Sequence, residues 1–249
     1  SADTARSGID FVSQPVVHIL DFDDNLVTTG GGSSVTVTAA LFGANPSEIT
    51  LFGESGLKQV QASGGVATFT TLRLTGDVAT YTLDYTSGAL TKATQQIELL
   101  AGLPASLSIL SGTGPANAIA GEGFAQAIEV EILDAQGNRV LSDSLSDITA
   151  TLVASSDVSS RGVTATTLRV TNGLASFAGG SALNYTLAGD HKISFSDGTR
   201  TEVSDSFAIT HAAASKLVIQ TQPASLRNDL AVSDGFGVAP ALRVLDAFD

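Results

Sequence analysis

Apolar and polar residues alternate with a period of two along much of the chain. In 128–133, Ile128, Val130 and Ile132 are separated by Glu129 and Glu131. That period sends successive side chains to opposite faces of an extended backbone and predicts a half-buried strand. Val17 and Ile19 repeat the pattern around an outward His18, whose position is taken by Glu131 in the second stretch and by Arg243 in a third. Val35, Val37 and Ala39 share a face within 34–41. Tyr81, Leu83 and Tyr85 predict another strand, matched later by His191, Ile193 and Phe195. Ile97 and Leu99, matched by Phe207 and Ile209, close the series. No apolar pattern of helical period runs for ten residues, and the abundance of Thr, Val and Ser also favours strands.

The strands recur in step. A phenylalanine stands ten residues before an aspartate three times, as Phe11 with Asp21, Phe124 with Asp134 and Phe236 with Asp246, at spacings of 113 and 112 residues. GGVATFTTL (64–72) matches NGLASFAGG (172–180), YTLDYTSG (81–88) matches HKISFSDG (191–198), and LPASLSIL (103–110) matches AASKLVIQ (213–220). A unit of this length can bury a core of its own, which the short units of a solenoid cannot. The chain therefore reads as domains in tandem. Residues 1–102 form a repeat that starts at a strand containing Phe11 and lacks the strand before it. Residues 103–213 form a complete repeat, and 214–249 hold the first two strands of a third. About six or seven short strands per repeat, between turns rich in Gly, Asn and Ser, predict an all-β, two-layer β-sandwich. The edge left open in the first repeat is an expected place for the tail of a neighbouring chain, by strand complementation. That makes a homo-oligomer through the incomplete end domains an expectation, beside contacts with neighbouring repeats of the same protein.

Composition narrows the function. Only 15% of the 249 residues are charged and the formal net charge is −13, with twelve scattered basic residues, so no basic stripe is present to neutralise nucleic-acid phosphates. There is no cysteine, hence no disulfide or thiolate metal site. No membrane span is legible in the sequence.

The segments VHILDFDDNLV (17–27), IEVEILDAQGNRV (128–140), GGVATF (64–69) and NGLASF (172–177) resemble bacterial Ig-like tandem domains of the invasin/intimin-like kind. In that family a strand ending V-x-D-x-x-G-N-x-V turns into the next strand, and a later G-V-A-T-F segment opens another. The resemblance implies elongated tandem Ig-like sandwiches in a large secreted or cell-surface protein, serving as stalks or adhesive tips. The first repeat departs from the pattern with Asp24 where the second has Gly137.

The aspartate turn is the most prominent candidate site. Asp134 can accept backbone N–H groups and close an Asx-type turn, with Gly137 or Asn138 at positive φ; Asp21 can do the same with Asp24–Asn25. Asp21, Asp23, Asp24 and Asn25 also form a calcium candidate, with three carboxylates and an amide oxygen in five residues. Calcium takes six to eight oxygens, so backbone, water or a neighbour would complete the set. His18, His191 and His211 lie on different strands without metal-ligand spacing, and His191 reads as a core-edge ring with one hydrogen bond. The glycine-rich GTGP (112–115) and GEGF (121–124) precede a strand, not a helix, and so do not form a phosphate loop. No catalytic residues are assigned. Lys58, Lys92, Lys192 and Lys216 could crosslink only within a buried trio containing an acid. The expected role is a structural spacer, a semi-rigid rod stiffened by short junctions such as Gly102–Pro104, assembling into a filament by strand complementation. The alternative is an adhesive module that recognises a protein or glycan through loops 50–63 and 155–165.

Overall fold

A computed structural model of the chain describes residues 3–43, 49–53, 58–153, 165–178, 183, 185–222 and 238–248. Phe236, residues 54–57 of one candidate loop and 155–164 of the other lie outside them.

The strands are β1 (Asp3–Arg6), β2 (Val16–His18), β3 (Thr36–Leu41), β4 (Ile49–Phe52), β5 (Gln59–Gln61), β6 (Val66–Thr68), β7 (Arg73–Gly76), β8 (Ala79–Thr86) and β9 (Ala93–Leu100). Then follow β10 (Ser106–Ile109), β11 (Ala118–Ile119), β12 (Ile128–Leu133), β13 (Asp147–Val153), β14 (Thr166–Arg169) and β15 (Leu174–Phe177). The last are β16 (Gly189–Ser196), β17 (Thr201–Val203), β18 (Phe207–Thr210), β19 (Lys216–Thr221) and β20 (Ala241–Leu245). Among the described residues there is no α-helix, only a 3-10 turn at Gly31–Ser34. The chain forms two compact units. The first comprises Ser1–Ser108, Glu131–Ser144 and Thr171–Gly173; the second comprises Ile109–Val130, Leu145–Val170 and Leu174–Asp249.

In the first unit one sheet runs β1-β9-β8-β3-β5, with β1 parallel to β9 and the other pairs antiparallel. The pairs β2–β6 and β4–β7 supply the rest. Val37, Ala39, Leu83, Tyr85, Ile97 and Leu99 from the large sheet share one core with Phe11, Ile19, Leu51, Ala67 and Leu74. Of the predicted inward residues Ile19, Val37, Ala39, Leu83, Tyr85, Ile97 and Leu99 are buried, Val17, Val35 and Tyr81 are half-buried against the same core, and His18 is exposed as expected. In the second unit the order is β11-β18-β16-β13-β14, with β17 beside β16. A separate sheet runs β10-β12-β15. Ile128, Val130, Ile193, Phe195, Phe207 and Ile209 of the second unit are buried, as is Ile132. The fold is an Ig-like β-sandwich in which the repeat extends to topology, because β11 lies parallel to β18 as β1 does to β9.

Two details differ from the sequence reading. Phe11 is buried but lies in no strand; it follows an isolated bridge between Asp10 and Arg73. The side chain of Gln14 takes the place of a partner strand there: its amide donates to the carbonyls of Phe11 and Leu72 (both 3.1 Å), and its oxygen accepts the Leu72 N–H (2.9 Å). Strand β1 precedes this crossing and is absent from the prediction. Moreover, β12 lies between β10 and β15, whereas its counterpart β2 pairs with β6 alone among the described residues.

The GGVATF and NGLASF segments owe their glycines to close approach. Gly65 and Gly173 have φ of 82° and 70°, and their carbonyls accept the N–H groups of Ile19 and Ile132 at 2.8 Å. A Cβ at Gly173 would lie 2.5 Å from the Val140 carbonyl oxygen, and one at Gly65 would collide with that of Val27. Gly137 also has positive φ but open space around it. Gly173→Ala should therefore cost about 1–3 kcal/mol in urea unfolding. Gly137→Ala should cost less, and equal losses would refute the close-approach account.

Candidate functional site

The turn after β12 is built from its own backbone first. Asp134 N–H donates to Asn138 O (2.9 Å), Gly137 N–H donates to Asp134 O (3.1 Å), and Gly137 takes φ of 85°. Asp134 Oδ1 then accepts the N–H groups of Gln136 and Asn138, each at 2.9 Å, which is the expected Asx turn. The turn after β2 is locally the same. Asp21 Oδ1 accepts from Asp23 and Asn25 N–H at 2.9 Å, and Asp24 carries the positive φ, 62°.

Beyond the local bonds the two turns diverge. Asp134 is 3% exposed, and its Oδ2 accepts the Gly102 N–H at 2.7 Å. Asn138 Nδ2 donates to Gly76 O (3.0 Å), while its Oδ1 accepts from Val78 N–H (3.1 Å). Gly76 N–H donates to Ser7 Oγ, which lies 3.0 Å from Gln136 Oε1. Ala105 N–H donates to Leu133 O at 2.7 Å, carrying the entering chain into β10. All of these residues belong to the first unit. By sequence, however, Asp134–Asn138 belongs to the second repeat, so the turn is clamped into the body of the first.

The second unit repeats the clamp. Asp246 Oδ1 accepts from Phe248 N–H and Oδ2 from Ala212 N–H, both at 2.9 Å, and Ala212 holds the position of Gly102. Ser215 N–H donates to Leu245 O (2.8 Å), as Ala105 does to Leu133. The residue two places after each aspartate leans on matching loops: Gln136 meets Ser7, and the Phe248 ring lies over Gly121, where it would have to move to admit a Cβ. Asp21 and Asn25, by contrast, are exposed, and among the described residues Asn25 Nδ2 reaches only the Asp21 carboxylate, at 3.3 Å from each oxygen.

Burial by itself would raise the Asp134 pKa. The donors from the Asn138 side chain and from the Gly102, Asn138 and Gln136 N–H groups outweigh it and hold the carboxyl below the usual range. Asp21 is lowered too, chiefly by the backbone and side chain of Asn25.

Calcium at Asp21, Asp23, Asp24 and Asn25 would compete with the bonds that close that turn. Among the described residues no group of three or more acidic or histidine side chains converges as a metal site. His191 is buried, with Nε2 2.9 Å from Leu187 O, as the core-edge reading expects. His18 and His211 are exposed. Tyr185, edge-on to Phe124, has its hydroxyl pushed up to about 12 by burial. Lys58, Lys92, Lys192 and Lys216 are all at exposed positions, so none sits in a buried trio, and Lys92 pairs with Asp84 at 2.7 Å. A cleft of about 470 Å³ beside the first clamp is lined by Arg6, Val78, Glu98, Leu100, Arg139 and Leu141. Arg6 and Arg139 are engaged there by Ala101 O and Glu131.

No family model and no curated protein matches the sequence. Among solved structures, the chain aligns with domains 5–6 of the S-layer protein SbsC at 13% identity, covering 85% of this chain and 94% of that one with a TM-score of 0.27. A titin fragment gives 14% identity, 85% and 95% coverage and a TM-score of 0.30. The extracellular domain of protocadherin GammaB4 gives 11% identity, 89% and 34% coverage and a TM-score of 0.39. At these scores the alignments carry no argument about what this chain does.

The sequence located the aspartates and their local bonds but missed Ser7, Gly76, Val78, Gly102 and Ala212. The one available signal was the equal phase of the aspartates against the junction segments. The asymmetry between the turns is testable. Asn138→Ala removes the bonds to Gly76 O and Val78 N–H and two to the buried Asp134 carboxylate, and should cost about 1–3 kcal/mol in urea unfolding. Asn25→Ala should stay within about 0.5 kcal/mol.

The pH dependence follows from the same carboxylate. With its folded pKa below the ordinary 3.8, Asp134 contributes stability that is present above that value and is lost as pH falls through the folded value. Asp21, Asp147 and Asp197 are lowered as well, so the comparison must be with a variant. Melting temperatures measured downward from neutral pH should fall below pH of about 4, and less steeply in Asp134→Asn. Identical slopes would remove Asp134 from the acid response.

Proposed function

We propose that this chain is a non-enzymatic spacer from a large bacterial secreted or cell-surface protein of the invasin/intimin-like kind. Its repeats, 1–102, 103–213 and 214–249, form a semi-rigid rod whose partners are the neighbouring repeats, and it needs no cofactor. One observation carries the reading: the opening turn of a repeat is hydrogen-bonded, through a buried aspartate, to the backbone where the preceding repeat ends, once at Asp134–Gly102 and again at Asp246–Ala212. Such a clamp resists bending because the carboxylate cannot leave its donors without a buried or rehydrated charge to compensate. Self-assembly by strand complementation belongs to the same reading. Among the described residues no helix is long and apolar enough to cross a membrane.

Small-angle scattering tests the rod. The expected result is an extended, asymmetric distance distribution for the monomer, shortened or broadened in Asp134→Ala; a compact symmetric distribution would overturn the spacer. The same preparation in calcium and in chelator tests Asp21, Asp23, Asp24 and Asn25 as an ion site, since only a bound ion makes the two curves and melting temperatures differ. Saturable retention on protein or glycan arrays, lost when loops 50–63 and 155–165 are replaced by glycine-serine segments, would instead favour adhesion.

A further inference from the structure

We propose that the cleft beside the first clamp binds a small amphipathic carboxylate, an apolar chain ending in one negative charge, with Arg6 and Arg139 holding the charged end. The site goes beyond the spacer reading and does not depend on it.

The cleft forms where the outer face of the large sheet of the first unit meets the segment that follows the Asp134 turn. Ala5 and Leu99 pair with their side chains in the core, so Arg6 of β1 and Leu100 of β9, the next pair along, turn outward. Arg139, Leu141 and Ser142 come from the segment, and Val78 from the chain entering β8. All of these residues belong to the first unit. The volume, about 470 Å³, falls within the range of roughly 300–1,000 Å³ that small-molecule sites occupy.

The lining supplies both parts of such a ligand's complement. Val78, Leu100 and Leu141 leave apolar side chains exposed, and covering them removes hydrocarbon from water. The Arg6 guanidinium is held at one edge, where Nη1 donates to Ala101 O and to Ser142 Oγ, both at 3.2 Å. Among the described residues its Nε and Nη2 meet no acceptor, and no carboxylate pairs with it. Arg139 donates through Nε to Glu131 Oε2 at 2.9 Å, and among the described residues no acceptor meets its two Nη groups. A guanidinium fixed in this way offers the planar N–H pair that a carboxylate accepts.

Charge limits the ligand to one negative group. The chain carries a formal net charge of −13, whose field repels polyanions. Inside the cleft Glu98 faces the same way as Leu100, two residues along β9, and would repel a second carboxylate.

The lining is also not part of the repeated frame. Arg6 pairs with Leu100, and the equivalent pair in the second repeat is Ile119 with Thr210. In the same register Glu98 falls on Ala208, and the match of Tyr81 with His191 sets Val78 on Ala188. The clamp keeps its aspartate and its backbone donor at both junctions, whereas all four of these residues change and both charges vanish. What holds the junction is repeated; what lines the cleft belongs to the first repeat.

A proton–nitrogen NMR titration of the whole chain with octanoate tests the site. Saturable shifts are expected at the amides of Leu100, Ala101, Leu141 and Ser142. 1-Octanol lacks the charge and should bind about tenfold more weakly. Octanedioate, whose second charge would meet the leucines or Glu98, should also bind more weakly than octanoate. Arg6→Gln should weaken octanoate about tenfold. Because Arg6 also ties down Ser142, Leu141→Glu is the second variant. Leu141 is exposed, so the melting temperature should hold while the added carboxylate abolishes binding. Lys192→Gln, which removes a cation outside the cleft, should change nothing. Shifts confined to other residues, equal binding of octanoate and 1-octanol, equal loss in Lys192→Gln, or full binding by Leu141→Glu would each overturn the proposal. An extended scattering curve would survive any of these results, so the site and the spacer reading fail separately.

Discussion

A carboxylate that closes a turn with one oxygen and holds the chain leaving β9 with the other sets the terms for the segments around it. Burying Asp134 removes it from water, and only its set of N–H donors compensates for that loss. The donors from Gln136 and Asn138 come with the turn, but the Gly102 donor must be delivered by the chain that leaves β9. Delivering it fixes where β10 begins, because Ala105 then reaches the Leu133 carbonyl three residues on. The turn, the junction and the first strand of the next sheet form one hydrogen-bonded assembly.

The strands and their inward faces were legible because a period of two is a local property. Leu83 with Tyr85, and Ile193 with Phe195, announce a face without reference to any partner, and all four are buried. What stayed hidden depends on pairing across distance. Strand β1 is DTAR, with no apolar alternation; only the register of Ala5 against Leu99 on β9 makes it a strand. Phe11 was misplaced for the converse reason. Its burial was foreseeable, but Gln14 bridging to Leu72 replaces the ladder that its apolar neighbourhood suggested.

Half of the candidate site was hidden in a deeper sense. The aspartates could be found because their side chains do the accepting. Their partners, at Gly102 and Ala212, contribute only a backbone N–H, and Asn138 likewise bonds the backbone of Gly76 and Val78. A contact made through peptide groups leaves almost no mark on residue identity, so matching the two junctions gives glycine against alanine and no motif. Spacing along the chain is the only trace.

The same reasoning distinguishes the three turns. Gln136 and Gly137 follow Asp134 in the turn seated beside Asp77, whose neighbours Gly76 and Val78 hold Asn138. Replacing Gln136 with the aspartate that the first turn has at this position would forfeit the Gln136–Ser7 contact. In the register that matches Tyr81 with His191, the position of Asp77 falls on Leu187, and the strand that follows this junction brings Lys216 where β10 has Ser106. The surroundings of the second junction thus carry one acid fewer and one lysine more than those of the first. A clamp that reads only backbone on one partner can still differ from one junction to the next through the charges placed around it.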